Sequence, residues 1–364
     1  MMNLLFLHDA HASLNASFAE VNGMEVVDSY GNWLEEHQAL TTSAGVFDLS
    51  FRSRVCVTGA DRARWLNGQV TNNVKDLRTG AGVYAALVSA KGKIQSDLNI
   101  YQLRDELLLD FEPGMTESVV KRLETYIIAD DVQLMDAAPH YGLLSAQGPQ
   151  AEAVVKGLGL GVELPAQAMG FVSCGDVSKG EIYLMNHPRA GGKGFDLFVP
   201  KKELAGIFEK LQAAVRAVGG CFCGWRALET ARIEAGIPRY GADMDETNLA
   251  PEAGIEPRAI SYSKGCYIGQ EVIARIRTYG QVTKSLRGLK LADGLTTLPA
   301  RGDKLYFDGK EAGYITSALA SPALKANIAL GYVRKECNQV GARLVLKNGM
   351  SGESVAEVME LPFR

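Results

Sequence analysis

Between residues 202 and 218 the apolar side chains Leu204, Ile207, Phe208, Leu211 and Val215 recur at three- and four-residue intervals, and Gly219-Gly220 follows. That period lays them along one face of an amphipathic helix with a glycine stop. Val119, Val120, Leu123, Tyr126 and Ile127 predict a second helix over residues 116–128. Short apolar runs at Leu107-Leu108-Leu109 and from Ile182 to Met185 read as strands. Helices and strands do not alternate in a strict βαβ rhythm, so the pattern predicts an α+β chain rather than a doubly wound sheet. After about residue 285 the texture changes. Short apolar runs now alternate with the turn signals Gly302-Asp303, Asp308-Gly309, Gly313 and Asn348-Gly349. This last segment is expected to form a small all-β domain, a barrel.

Composition narrows the classes. A length of 364 residues implies two or three domains, and 47% hydrophobic against 22% charged residues implies a folded core. The net charge of −4, from 38 basic and 42 acidic residues, supplies no global field for nucleic acid or an anionic membrane. No apolar run approaches the ~20 residues of a bilayer-spanning helix. The apolar start from Met1 to Leu7 has no basic residue before it and runs into His8, Asp9 and His11, unlike a secretory signal. Six cysteines, at 56, 174, 221, 223, 266 and 337, are too dispersed for a disulfide scaffold. Cys221 and Cys223 stand closer than the usual structural zinc pair, with no histidine near them, so buried thiols and no metal site are expected. A reducing, cytoplasmic setting fits this usage.

Three segments could carry chemistry. In Tyr84 to Tyr101 the turn Ala90-Lys91-Gly92-Lys93 joins two strand-like runs as a hairpin. In the second run Ile94, Leu98 and Ile100 share one face, and Gln95, Asp97 and Asn99 share the other. Asp97 is then either part of a solvated edge or a carboxylate in a cavity, able to position an amine or relay a proton. In Gly224 to Gly241 a helix begins near Trp225 and ends at Gly236 and Pro238, leaving Glu234 in its last turn. The macrodipole disfavours an acid there. Glu234 is therefore solvated, paired with Arg232 or Arg239, or holding a ligand.

The third segment, SKGCYIGQE from Ser263 to Glu271, brackets Cys266 with glycines and is followed by Arg275, Arg277 and Lys284. Lys264 could favour a thiolate at Cys266, and an inert buried thiol is the alternative. No P-loop and no GxGxxG after a strand is present, so a nucleotide enzyme is not expected. Nor is there a closely spaced set of four cysteines to hold a resident iron–sulfur cluster.

Taken together and in order, KGKIQSDL, ARIEAGIPRYGAD, LAPEAG, KGCYIGQE and GYITSALASPALKANIALGYV resemble the superfamily of the glycine cleavage T protein, a tetrahydrofolate-dependent aminomethyltransferase. The likeness begins near His11, includes VFDLSFRSRVCVTG and Thr71-Asn72, and runs to about Val333. KGCYIGQE is similar to the signature of the YgfZ-type folate-binding branch, which assists iron–sulfur enzymes. The resemblance implies a three-domain cloverleaf about a central channel: two interleaved α+β domains forming a folate-binding region over residues 1–285, and a β-barrel over residues 286–364. It implies a reduced folate such as tetrahydrofolate as cofactor, Asp97 beside its reactive part, Tyr84 lining the pocket, Glu234 gripping the pterin and Lys264 meeting the glutamyl tail. A pterin offers paired N–H donors that a carboxylate can accept.

The resemblance further implies a helper that assembles or repairs clusters in iron–sulfur client proteins, with Cys266 and Asp97 as its working residues. A folate-dependent aminomethyltransferase or demethylase is the alternative. Where aminomethyltransferases usually carry two adjacent acids, this chain has Ser96-Asp97, which counts toward the helper.

Overall fold

The computed structural model describes residues 2–175, 180–280, 282–348 and 352–363, so Met1 and Gly349 fall outside that set. The chain groups into two units: residues 1–85 with 96–229, and residues 86–95 with 230–364.

Two sheets lie mainly in the first unit. One has five strands in the order Gly82–Val88, Ile94–Gln102, Leu107–Phe111, Ser53–Thr58, Gln133–Asp136. The other has six, in the order Phe171–Cys174, Ile182–Asn186, Gly194–Pro200, Tyr141–Gln147, Gly45–Asp48, Cys221–Phe222. Gly45–Asp48 therefore belongs with strands that follow the whole five-stranded sheet in sequence. The helix Leu204–Ala217 turns Leu204, Ile207, Phe208, Leu211 and Val215 into the core of the six-stranded sheet, as its period predicts.

The helix over residues 116–128 is shorter than its pattern suggests and ends at Glu124. Tyr126 N–H and Ile127 N–H bond back three residues, to Leu123 O and Glu124 O, which tightens the chain out of the α-helix. Trp65 Nε1 then takes the Tyr126 carbonyl at 3.0 Å, and the Arg122 guanidinium covers the Tyr126 ring at 4.4 Å.

In the second unit six strands close into a barrel, in the order Lys284–Leu291, Ala326–Arg334, Lys310–Ser321, Lys304–Phe307, Arg343–Asn348, Gly352–Met359. Alternation along Ala326–Arg334 sends Ala329 and Val333 into the barrel core. Ile328, Leu330 and Tyr332 face the other way and pack with Ile233. Gly313 allows two strands to approach closely: a Cβ there would lie 1.9 Å from Tyr332 O. The expectation of an α+β chain ending in a small barrel is met.

Candidate functional site

The predicted hairpin forms, with its turn closed by Ser89 N–H to Lys93 O and Gly92 N–H to Ser89 O. Gly92 adopts φ 71°, the left-handed region that glycine enters without strain. The strand Ile94–Gln102 is second in its sheet, flanked on both sides, so the solvated-edge reading of Asp97 fails. Tyr84, on the neighbouring strand, donates its hydroxyl to Asp97 Oδ2 at 2.9 Å. Asn72 Nδ2 fixes the same stretch by donating to Tyr84 O at 2.9 Å, which gives the Thr71-Asn72 pair a structural reason. Asp97 Oδ1 is sealed and has no hydrogen-bond partner among the described residues.

That environment changes the acid. Burial, reinforced by the charge of Glu112, pushes the Asp97 carboxyl up to about 6, against the opposing effects of the Tyr84 hydroxyl and Arg52. A carboxylate so placed can accept an N–H or hold a proton near neutral pH. The surrounding charges form a fixed frame. Arg52 binds Asp110 through Nε at 2.8 Å and Glu112 through Nη1 at 2.9 Å. Arg189 and Asn99 bind the other Asp110 oxygen at 2.8 and 2.9 Å. The two arginines hold Asp110 well below the usual carboxylate range despite its burial. None of Arg52, Glu112, Asp110 or Arg189 stood out in the sequence, because their pairing spans up to 79 residues and leaves no local period.

The helix Trp225–Glu234 ends as predicted, at Gly236 with φ 67°. Two of its final carbonyls are taken, Arg232 O by the nearby Ile237 N–H and Glu234 O by the distant Phe363 N–H. Arg232 pairs with the buried Asp243, whose Oδ1 accepts from Thr316 at 2.6 Å and Ser317 at 2.7 Å. Ser321 Oγ donates to Glu234 Oε1 at 2.5 Å and so orients the acid.

The loop over residues 263–271 places Lys264 and Cys266 differently. Lys264 is buried, its ammonium 4.9 Å from the Tyr267 ring, and burial pulls it down to about 8. Cys266 is exposed, which rules out the buried inert thiol. Of the loop's two glycines, Gly269 serves packing, whereas a Cβ at Gly265 would meet nothing within 4 Å. Gly269, at φ 82°, sits where a Cβ would come within 2.5 Å of Ser89 O, and Gly92 faces Val272. Lys93 Nζ meets Thr247 O at 2.8 Å, and Ile94 N–H meets Asn248 O at 3.0 Å. The segments AKGK, LAPEAG and KGCYIGQE thus lie against one another.

Among the described residues, no group of three or more His, Cys, Asp or Glu side chains is arranged to hold a metal ion. No helix among them is long and apolar enough to cross a membrane.

Residues 7–264 match the family described as GCVT N-terminal domain, and residues 284–364 match the Glycine cleavage T-protein C-terminal barrel domain. The chain is 28% identical to a protein of Halalkalibacterium halodurans named Aminomethyltransferase, over 98% of this chain and 96% of that protein. It is 30% identical to one of the same name from Symbiobacterium thermophilum, again over 98% and 96%. The glycine cleavage system aminomethyltransferase T of Bartonella henselae superposes with a TM-score of 0.89 over 100% of this chain and 98% of that one, at 22% identity, so the fold is shared.

These relatives overturn the reading of an iron–sulfur helper with iron–sulfur clients. Two structural facts explain how the sequence misled. Gly269 of KGCYIGQE is accounted for by close packing on the hairpin turn, so that glycine need not announce cluster chemistry. Ser96 is fully buried, and by strand alternation it faces away from Asp97. An acid missing at that position therefore removes nothing from the Asp97 side of the sheet.

Proposed function

Since the chain belongs to the glycine cleavage T-protein family, we propose that it binds a reduced folate beside Asp97 and transfers a one-carbon unit between that folate and an aminomethyl donor. The observation that carries this reading is the divided role of the Asp97 carboxylate. Tyr84 occupies Oδ2 and leaves Oδ1 buried and unpartnered among the described residues. An unpaired buried oxygen costs about 1–3 kcal/mol, so a site keeps one where a ligand supplies the missing donor. A reduced pterin, rich in N–H groups, fits that requirement.

Tetrahydrofolate supplies a ring amine that accepts the carbon unit. The chain's own contribution is positional and electrostatic. Asp97, ionised above about pH 6, accepts an N–H at Oδ1 and can take a proton there. Tyr84 fixes the carboxylate plane. Glu234, oriented by Ser321, offers paired acceptors to the pterin edge, and Lys264 offers a cation to the glutamyl tail. Cys266 is assigned no step.

The test is tetrahydrofolate-dependent release of ammonia with the remaining components of a glycine cleavage system, comparing wild type with Asp97→Asn. Turnover by wild type, lost by at least a hundredfold in the variant, is expected. Tight folate binding with no transfer would refute the enzymatic part of the reading.

A further inference from the structure

Cys221 and Cys223 have no part in the folate proposal, yet their arrangement is specific. The strand Cys221–Phe222 runs parallel to Gly45–Asp48, and Cys223 N–H continues the pairing to Val46 O at 2.8 Å. Residues two apart in an extended chain point to the same side, and the two sulfurs stand 3.9 Å apart. Gly45 makes room for them, since a Cβ there would lie 2.5 Å from Cys223 Sγ. Cys223 is sealed at 1% exposure, with its sulfur 3.4 Å from Glu36 O, whereas Cys221 is partly exposed. A hydrogen bond from Cys223 lowers the Cys221 thiol below its ordinary value, and burial raises Cys223 far above its own. One thiol is thus accessible and inclined to ionise, and its neighbour keeps its proton.

We propose that Cys221 and Cys223 form a reversible thiol–disulfide switch that a hydroperoxide closes. The Cys221 thiolate attacks the terminal peroxide oxygen, the O–O bond breaks, and Cys221 becomes a sulfenic acid as water or an alcohol leaves. Cys223 sulfur then attacks Cys221 sulfur, the S–O bond breaks, and hydroxide departs as water with the Cys223 proton. Two thiols lose two electrons, and the peroxide gains them. The geometry also sets the character of the bond. Two residues of extended chain separate the Cα atoms by roughly 6.6 Å, at the upper end of the ~4.4–6.8 Å that disulfides span. The pair can therefore close with little backbone movement, and because Cys221 is partly exposed the bond stays open to reduction, which suits a switch better than a structural staple.

The experiment treats the full chain with hydrogen peroxide, quenches in acid, unfolds, alkylates and maps the peptides by mass. The expected result is an intramolecular Cys221–Cys223 link with the loss of two hydrogen atoms, reversed by glutathione. In Cys223→Ser, dimedone should trap a sulfenic acid at Cys221. Should that variant fail to fold, the wild-type peptide map decides alone. Six alkylatable thiols after peroxide, oxidation confined to Cys266, or a link between two chains would overturn the switch. Bound zinc at the pair without a disulfide would do so too.

Discussion

Tyr84 gives its hydroxyl to one oxygen of Asp97, at 2.9 Å, and the other oxygen is buried without a partner among the described residues. The pH dependence of activity should follow from this asymmetry. Asp97 loses its charge as pH falls through about 6, so activity should decline there. The Tyr84 hydroxyl opposes the upward shift, so Tyr84→Phe should move the acid limb to higher pH. A pH–rate profile of the two proteins, with an unmoved limb, would argue against Asp97 as the titrating group.

The same acid should oppose stability. Its folded-state value of about 6 lies above the roughly 3.9 of an unfolded aspartate, so the folded chain holds the proton more tightly. The associated stability is present in full below about pH 4 and is lost as pH rises through 6. Asp97→Asn should therefore be more stable than wild type at pH 8, by up to about 2–3 kcal/mol, while losing activity. Urea titrations at pH 5 and pH 8 measure it. An equal difference at both values would contradict the linkage.

How much of this was legible beforehand depends on the range of each interaction. The helix Leu204–Ala217, the hairpin and the barrel were visible because their periods and turn residues are local. Tyr84, Asp97 and Glu234 were singled out by the order of segments, and the structure adds what each side chain touches. The opposed outlook of Ser96 and Asp97 was available from strand alternation, but its weight became clear only with Ser96 seen fully buried. The Arg52–Asp110–Arg189 frame was hidden because it joins one strand residue to two loop residues far apart in the chain.

That frame carries its own prediction. Asp110 is fully buried between two guanidinium groups, and its removal leaves Arg52 paired with Glu112 and Arg189 with Asp196 around an emptied centre. Asp110→Ala should cost about 3–5 kcal/mol, the range for breaking a buried pair. Because the folded-state value is depressed, the contribution holds above about pH 4 and disappears as pH falls below it. Melting temperatures of wild type and variant should then converge in acid. A constant gap would assign the loss to packing rather than charge.

Lys264 should confer a basic limit on folate affinity. Burial brings its ammonium down to about 8, so an anionic glutamyl tail should be held less well as pH rises through that value. Calorimetry with tetrahydrofolate and with a tetrahydropterin lacking the tail separates the effects. Lys264→Ala should weaken the first about tenfold at pH 7 and leave the second unchanged. Equal losses for both ligands would place Lys264 outside tail recognition.

Cys266 is exposed and Cys56 is buried, with burial raising the Cys56 thiol beyond its ordinary range. Alkylation of the native protein should therefore modify Cys266 at least tenfold faster, and Cys266→Ala should retain folate affinity. A loss of affinity in that variant would assign the side chain to the ligand site.

The seating of Gly269 against Ser89 O and of Gly92 against Val272 bears on how this chain can diverge. A residue inserted into the hairpin turn would displace both contacts together, so the length of residues 89–93 should stay constant among relatives, and side-chain changes at 92 and 269 should be scarce or concerted. Drift in length belongs elsewhere, for example around Gly159 and Gly161, where an added Cβ would meet nothing within 4 Å.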